Sequence, residues 1–172
     1  MDKNINNLPK RKPTRLEKYD YSQNGVYFVT ICTKDRQPIL CDIVGTGVPD
    51  RPKIKLLNHG VIADKYINQL NNFYKDIRID KYAIMPDHIH LLLSISNGQS
   101  RTPAPTNENI VNANSYVSKF ISTYKRFCNK EYGENIWQRS YYDHIIRNQD
   151  DYNEVWEYIE NNPIKWVMMN KK

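Results

Sequence analysis

The chain has 172 residues, one ordinary domain's worth, with 40% hydrophobic and 26% charged residues, which excludes a disordered chain and leaves enough material for a buried core. Its 25 Lys+Arg against 19 Asp+Glu give a formal charge of +6, which suits an anionic partner. Three widely spaced cysteines (Cys32, Cys41, Cys128) without a C-x-x-C pair exclude a secreted disulfide framework and a cysteine zinc cluster and fit a reducing cytoplasm; no apolar run is long enough to span a membrane, and the N-terminus lacks the apolar core of a signal peptide.

Residues 1–20 read as a flexible basic arm that includes Lys10, Arg11, Lys12 and Arg15, and residues 21–172 as one domain. The β-branched and aromatic run at 26–33 predicts a strand. Gly45, Gly47, Pro49 and Pro52 mark 42–53 as a loop. Ile62, Tyr66, Leu70 and Phe73 recur at helical spacing and predict a helix over 58–74. Strands follow at 77–85 and 88–96, joined by a Pro86-Asp87 turn into a hairpin, and a second loop covers 97–107. Ile110, Ala113, Val117, Phe120, Ile121, Tyr124 and Phe127 mark a second helix, with Lys119, Lys125 and Arg126 along it. Loose alternation at 136–147 predicts a fourth strand. Asn148 then caps a last helix, with Asp150 and Asp151 in its first turn, and the Asn162-Pro163 pair ends it. The order β-α-β-β-α-β plus a terminal helix is α+β, the ferredoxin-like (split βαβ) arrangement: a four-stranded antiparallel sheet with two helices on one face.

Strand side chains alternate, so His88, His90, Leu92 and Ser94 share one face and Ile89, Leu91, Leu93 and Ile95 the other. The wholly apolar face must lie under the two helices, and the histidines then look away from the main core. Two adjacent imidazoles either chelate a divalent metal through nitrogen or form an ordinary hydrogen-bonded pair. On the last helix, Asn162 and Glu154 fall roughly 40° to either side of Tyr158, while Val155, Ile159, Tyr152 and Trp156 centre about 110° away. Tyr158 therefore heads a polar row at the edge of the apolar stripe. It is either one more packed tyrosine among 13 or a nucleophile. A phenol oxygen can attack phosphorus and hold the product covalently if a metal polarises the phosphate. Asn162, one turn on, can offer a third ligand oxygen, and Lys165 and Glu154 are near enough in sequence to assist the phenol.

Three blocks then carry a resemblance: Y-A-I-M-P-D-H-I-H-L-L-L at 82–93, W-Q-R-S-Y-Y-D-H-I-I-R-N at 137–148 and D-Y-N-E-V-W-E-Y-I-E-N-N-P at 151–163. With them the chain resembles the REP-associated tyrosine transposases of the single-tyrosine HUH superfamily over most of its length. The resemblance implies the same ferredoxin-like fold, His88 and His90 binding Mg²⁺ or Mn²⁺ with Asn162 near the metal, and Tyr158 as nucleophile, ranked above Tyr152, Tyr141 and Tyr142. It implies metal-dependent cleavage and rejoining of single-stranded hairpin DNA through a 5′-phosphotyrosine, leaving a 3′-hydroxyl and needing no ATP. Arg11, Lys12, Lys119, Lys125, Arg126, Arg139 and Arg147 are then candidates to neutralise phosphates, and Trp137, Tyr141 and Tyr142 to stack on unpaired bases. His144 either orients a phosphate or braces the helix. Some relatives carry a longer segment over the active site, where here only residues 164–172 follow the Asn-Pro pair. The expected setting is the prokaryotic cytoplasm at the nucleoid, as a monomer or homodimer with no other protein partner and no membrane. Two other readings are a hairpin-binding DNA or RNA module that does not cut, and a metal-dependent hydrolase using activated water.

Overall fold

The computed structural model describes residues 24–44, 52–96 and 116–170. The basic arm, the 97–107 loop and the first part of the second predicted helix lie outside the described residues. Nine main elements follow in chain order: β1 (Gly25–Cys32), β2 (Cys41–Val44), β3 (Lys53–Leu56), α1 (Asn58–Phe73), β4 (Ile77–Ile84), β5 (His88–Ile95), α2 (Tyr116–Tyr132), β6 (Tyr142–Ile146) and α3 (Gln149–Asn170). β4, β5, β1 and β6 form one antiparallel sheet in that spatial order, the ferredoxin-like topology expected from the element order.

The period-two pattern of β5 divides the molecule. Ile89, Leu91, Leu93 and Ile95 join Tyr27, Val29 and Ile31 of β1 and the buried faces of α1 and α2 in the main core. Leu92 faces the other way, into a smaller cluster with Met85, Ala83 and Ile159, against which Tyr152, Val155, Trp156 and Trp166 of α3 pack. Two polar ties fasten α3 to β4: Lys81 Nζ donates to Glu160 at 2.6 Å and Tyr152 Oη to Asp80 at 3.2 Å. Each sheet face is thus covered, and the histidine face is the one that α3 covers.

Three sequence expectations need correction. The 42–53 loop is in part a separate two-stranded hairpin, because Cys41–Val44 and Lys53–Leu56 pair and Ile43 and Leu56 pack at the core margin; its Gly- and Pro-bearing tip lies outside the described residues. The fourth strand is shorter than 136–147. Residues 136–138 bond to the end of β1, through Lys34 N–H to Ile136 O (2.7 Å) and Gln138 N–H to Cys32 O (2.9 Å). The Gln138 and Ser140 carbonyls then accept from Lys125 Nζ rather than from a neighbouring strand, and regular pairing restarts at Tyr142. Finally, α3 does not stop at Asn162-Pro163 but runs on to Asn170. An interior proline removes one helical hydrogen bond and costs about 3 kcal/mol. Here Pro163 is buried, and Trp166 beyond it packs on the second cluster, so tertiary burial offsets that cost.

Gly60 sits in the first turn of α1, where an added Cβ would stand 1.9 Å from the Leu40 carbonyl oxygen. Gly60→Ala should therefore force the β1–β2 connection off the helix. Overpacking of this kind costs about 1–3 kcal/mol, read as a lowered urea midpoint; an unchanged midpoint would show that the connection yields freely.

Candidate active site

The β4–β5 hairpin turns at Pro86-Asp87, with Met85 N–H donating to His88 O at 2.8 Å. Thr33 grips that turn, donating its backbone N–H (2.9 Å) and its hydroxyl (3.0 Å) to Asp87 O. His88 and His90 begin the next strand, 9% and 4% exposed. Each ring is oriented from behind. His88 Nδ1–H donates to Asp87 Oδ1 at 2.5 Å, and His90 Nδ1 lies 2.9 Å from the hydroxyl of Thr30, its partner across the β1–β5 register. Both rings consequently turn their Nε2 atoms toward each other, 3.0 Å apart. Asn162 brings its side-chain amide to 3.3 Å from His90 Nε2. The contact between the two Nε2 atoms is a hydrogen bond when one ring carries its proton there, and it presents two lone pairs to one point when both rings carry it on Nδ1.

Burial is the main reason both imidazoles stay neutral at ordinary pH. It lowers the His88 pKa, a shift that Asp87 partly opposes, and brings His90 down to about 3, with the neighbouring His88 adding to the effect. Neutral imidazole is the metal-binding form. Among the described residues no cluster of three His, Cys, Asp or Glu side chains could hold a metal; the Asn162 amide reaches the pair, and its oxygen would face it after rotation of the amide.

α3 places Tyr158 beside this pair. Its ring is edge-on to His90 with centroids 5.3 Å apart, and edge-on to Phe28 at 5.8 Å. The residue is 39% exposed, while Ile159 beside it is buried. Tyr158 is thus on the rim of the site. Lys165 lies over its ring, Nζ 5.3 Å from the centroid. Trp166, one position further on, stands 6.2 Å from the His88 ring and walls the other side. Of the alternative tyrosines, Tyr152 is half-buried and bonded to Asp80 and Tyr141 is buried with its hydroxyl 3.0 Å from Ser118 Oγ, whereas Tyr142 is exposed on β6 opposite Thr30.

The other sequence candidates divide. Arg139 and Arg147 are exposed before and after β6, and Arg147 lies beside the start of α3. Lys119 and Arg126 are exposed on α2, which the sheet separates from the histidines. Arg11 and Lys12 lie outside the described residues. Three assignments need correction. Trp137 is only 2% exposed, packed in the main core 5.7 Å from the Tyr124 ring, and presents no stacking face; Tyr141 is likewise a core residue. Lys125 is partly buried with its ammonium bound to two backbone carbonyls, so it splints the approach to β6.

Burial lowers the Lys125 pKa from its ordinary 10.5 to about 8. Between those values the unfolded chain binds the extra proton, so this residue makes stability rise with pH from 8 to 10. The stability difference between the wild type and Lys125→Met, from urea melts, should accordingly grow over that range; a constant difference would refute the shift.

Two contributors were missed from sequence. Thr30 becomes visible only once β1 is paired with β5. Asp87 immediately precedes His88 in the M-P-D-H run, and its place in a tight turn was a usable signal.

A family model described as "Transposase IS200 like" matches residues 22–162. The chain is 30% identical over 169 residues to an uncharacterized protein of Haemophilus influenzae, covering 91% of this chain and 89% of that one. It is 24% identical over 149 residues to a REP-associated tyrosine transposase of Escherichia coli K12, covering 86% and 72%. Its fold matches that of a REP-associated tyrosine transposase solved bound to a REP hairpin, with a TM-score of 0.60 and 20% identity over 88% of this chain and 73% of the other. A family match over most of the sequence, ending at the Asn162 that meets His90, places this chain in the IS200-like transposase family.

Proposed function

We propose that the protein is a metal-dependent transposase of single-stranded DNA, which cuts and rejoins strands at hairpin elements like REP through a 5′-phosphotyrosine on Tyr158. The observation that carries this reading is the convergence of two neutral imidazole nitrogens, 3.0 Å apart, beside the amide and phenol of one helix. So short an approach is satisfied by a proton shared between the two nitrogens or by a cation held by both. Such a cation, Mg²⁺ or Mn²⁺, would be held by His88, His90 and Asn162. When bound, such an ion polarises a phosphate oxygen and stabilises charge developing at phosphorus.

The chain's own residues supply the remainder. Tyr158 and Asn162 are one helical turn apart, which fixes the distance between nucleophile and ligand. The phenol oxygen bonds to phosphorus as the 3′-oxygen leaves, so one phosphodiester replaces another and no ATP is needed. Hairpin DNA is the substrate class suggested by the REP-associated relative and by the structure solved with a REP hairpin. Arg139, Arg147 and the arm residues Arg11 and Lys12 can neutralise its phosphates, which makes binding fall steeply with salt.

The test is incubation with a 3′-labelled hairpin oligonucleotide and Mn²⁺ or, separately, Mg²⁺. A denaturant-resistant adduct is expected, with the DNA mapped to the Tyr158 peptide by mass spectrometry. Salt-sensitive hairpin binding with no adduct in either metal would instead identify a module that does not cut.

A further inference from the structure

A phenol is a poor nucleophile at neutral pH, because its ordinary pKa is about 10, and it needs a proton acceptor. Beside Tyr158 opens a groove of ≈ 560 Å³, bordered by Phe28, His144, Glu154 and Lys165 among others. One proton-accepting group on this border is built in. His144 Nε2–H donates to both oxygens of Asp151, at 2.9 and 3.0 Å. Asp151 is itself fixed, since its Oδ2 accepts the Arg147 N–H (3.1 Å) and its own N–H donates to Asn148 Oδ1 (2.9 Å). The neutral tautomer set by this bond carries its lone pair on Nδ1.

Independent placements bring this imidazole toward the phenol. His144 is the cross-strand partner of Phe28, so their side chains rise from the same sheet face, and the Phe28 ring lies 5.8 Å from that of Tyr158. Asp151 and Tyr158 are two turns apart on nearly one line of α3, and helical side chains lean toward the N-terminus. The phenol therefore leans toward the end of the helix where Asp151 holds His144. The groove is the space they share, and it has room for water. Lys165 lies over the Tyr158 ring on the same border of the groove.

We infer that His144, held by Asp151, takes the proton from Tyr158 through a groove water and returns it to the leaving oxygen; this rests on Tyr158 being the nucleophile. In the forward step the proton passes from Tyr158 Oη by way of water to His144 Nδ1, the Oη–P bond forms, the P–O3′ bond breaks, and the 3′-oxygen takes the proton. Rejoining runs the same transfers backward. The arrangement is that of a nucleophile, a base and a group that orients the base.

The experiment compares the natural tyrosine with 3,5-difluorotyrosine at position 158, a more acidic phenol that depends less on an acceptor. With the natural tyrosine, His144→Ala should slow adduct formation on the order of 100-fold. His144→Gln, which keeps a donor for Asp151 but takes no proton, should be equally slow. Fluorination should shrink both losses, with thermal unfolding and hairpin binding in EDTA unchanged. A His144→Gln variant as fast as wild type would overturn the inference and leave a brace, and so would a loss that fluorination does not reduce. If the wild-type chain itself forms no adduct, the nucleophile assignment fails and this inference fails with it.

Discussion

Tyr158→Phe is expected to abolish the covalent adduct and to cut strand cleavage on the order of 10⁴-fold or more, while hairpin affinity stays within about twofold. In the proposed scheme the two effects separate because the lost hydroxyl is the bond-forming group and does little else. The ring keeps its edge contacts with His90 and Phe28, and the residue is on the rim of the site, so no buried partner is orphaned. Gel analysis of labelled hairpin, with anisotropy for binding, reads both quantities. Undiminished cleavage in Tyr158→Phe, lost in His88→Ala, would make the protein a hydrolase using activated water and would sink the phosphotyrosine scheme.

His88→Ala and His90→Ala should each lower Mn²⁺ affinity by about 100-fold or more, since removing even a group behind a ligand costs 10–100-fold. His90 is the more exposing test of the architecture. Its Nδ1 meets Thr30, its Nε2 meets both His88 and Asn162, and its ring meets Phe28 and Tyr158, so truncation also leaves buried polar groups without their partner. Calorimetric titration with Mn²⁺ measures the affinity. Thermal unfolding gives a second readout, because metal at 100 times its dissociation constant stabilises the native state by about 2.7 kcal/mol. That gain should appear in the wild type and vanish in both variants. Equal Mn²⁺ stabilisation of wild type and His90→Ala would place the metal elsewhere.

Much of the fold was legible because one strand carries two messages. The apolar alternation of Ile89, Leu91, Leu93 and Ile95 could only belong under helices, which put His88 and His90 on the opposite face, where they are found. The helical wheel likewise placed Tyr158 at the margin of α3 and Ile159 inside. What was not legible is what depends on partners distant in sequence. Trp137 has the chemistry of a base-stacking residue and of a core residue alike, and only the bend after β1 decides that it points inward. Lys125 looked like a phosphate contact because the carbonyls it satisfies belong to an irregular approach to β6. Pro163 signalled a helix end by local preference, and the packing of Trp166 overrode it. Residues flanking Gly and Pro, as in β2 and β3, paired despite the breakers beside them in sequence.

The passage of α3 through Pro163 has a mechanical meaning. Because the rod does not break there, the phenol at Tyr158, the amide at Asn162 and the indole wall at Trp166 are beads on a single shaft. None can be retuned alone by swivelling a joint between them. A tilt of that shaft against β4 and β5 would disengage all three at once, so the Lys81–Glu160 and Tyr152–Asp80 fastenings act as the latch for the whole assembly.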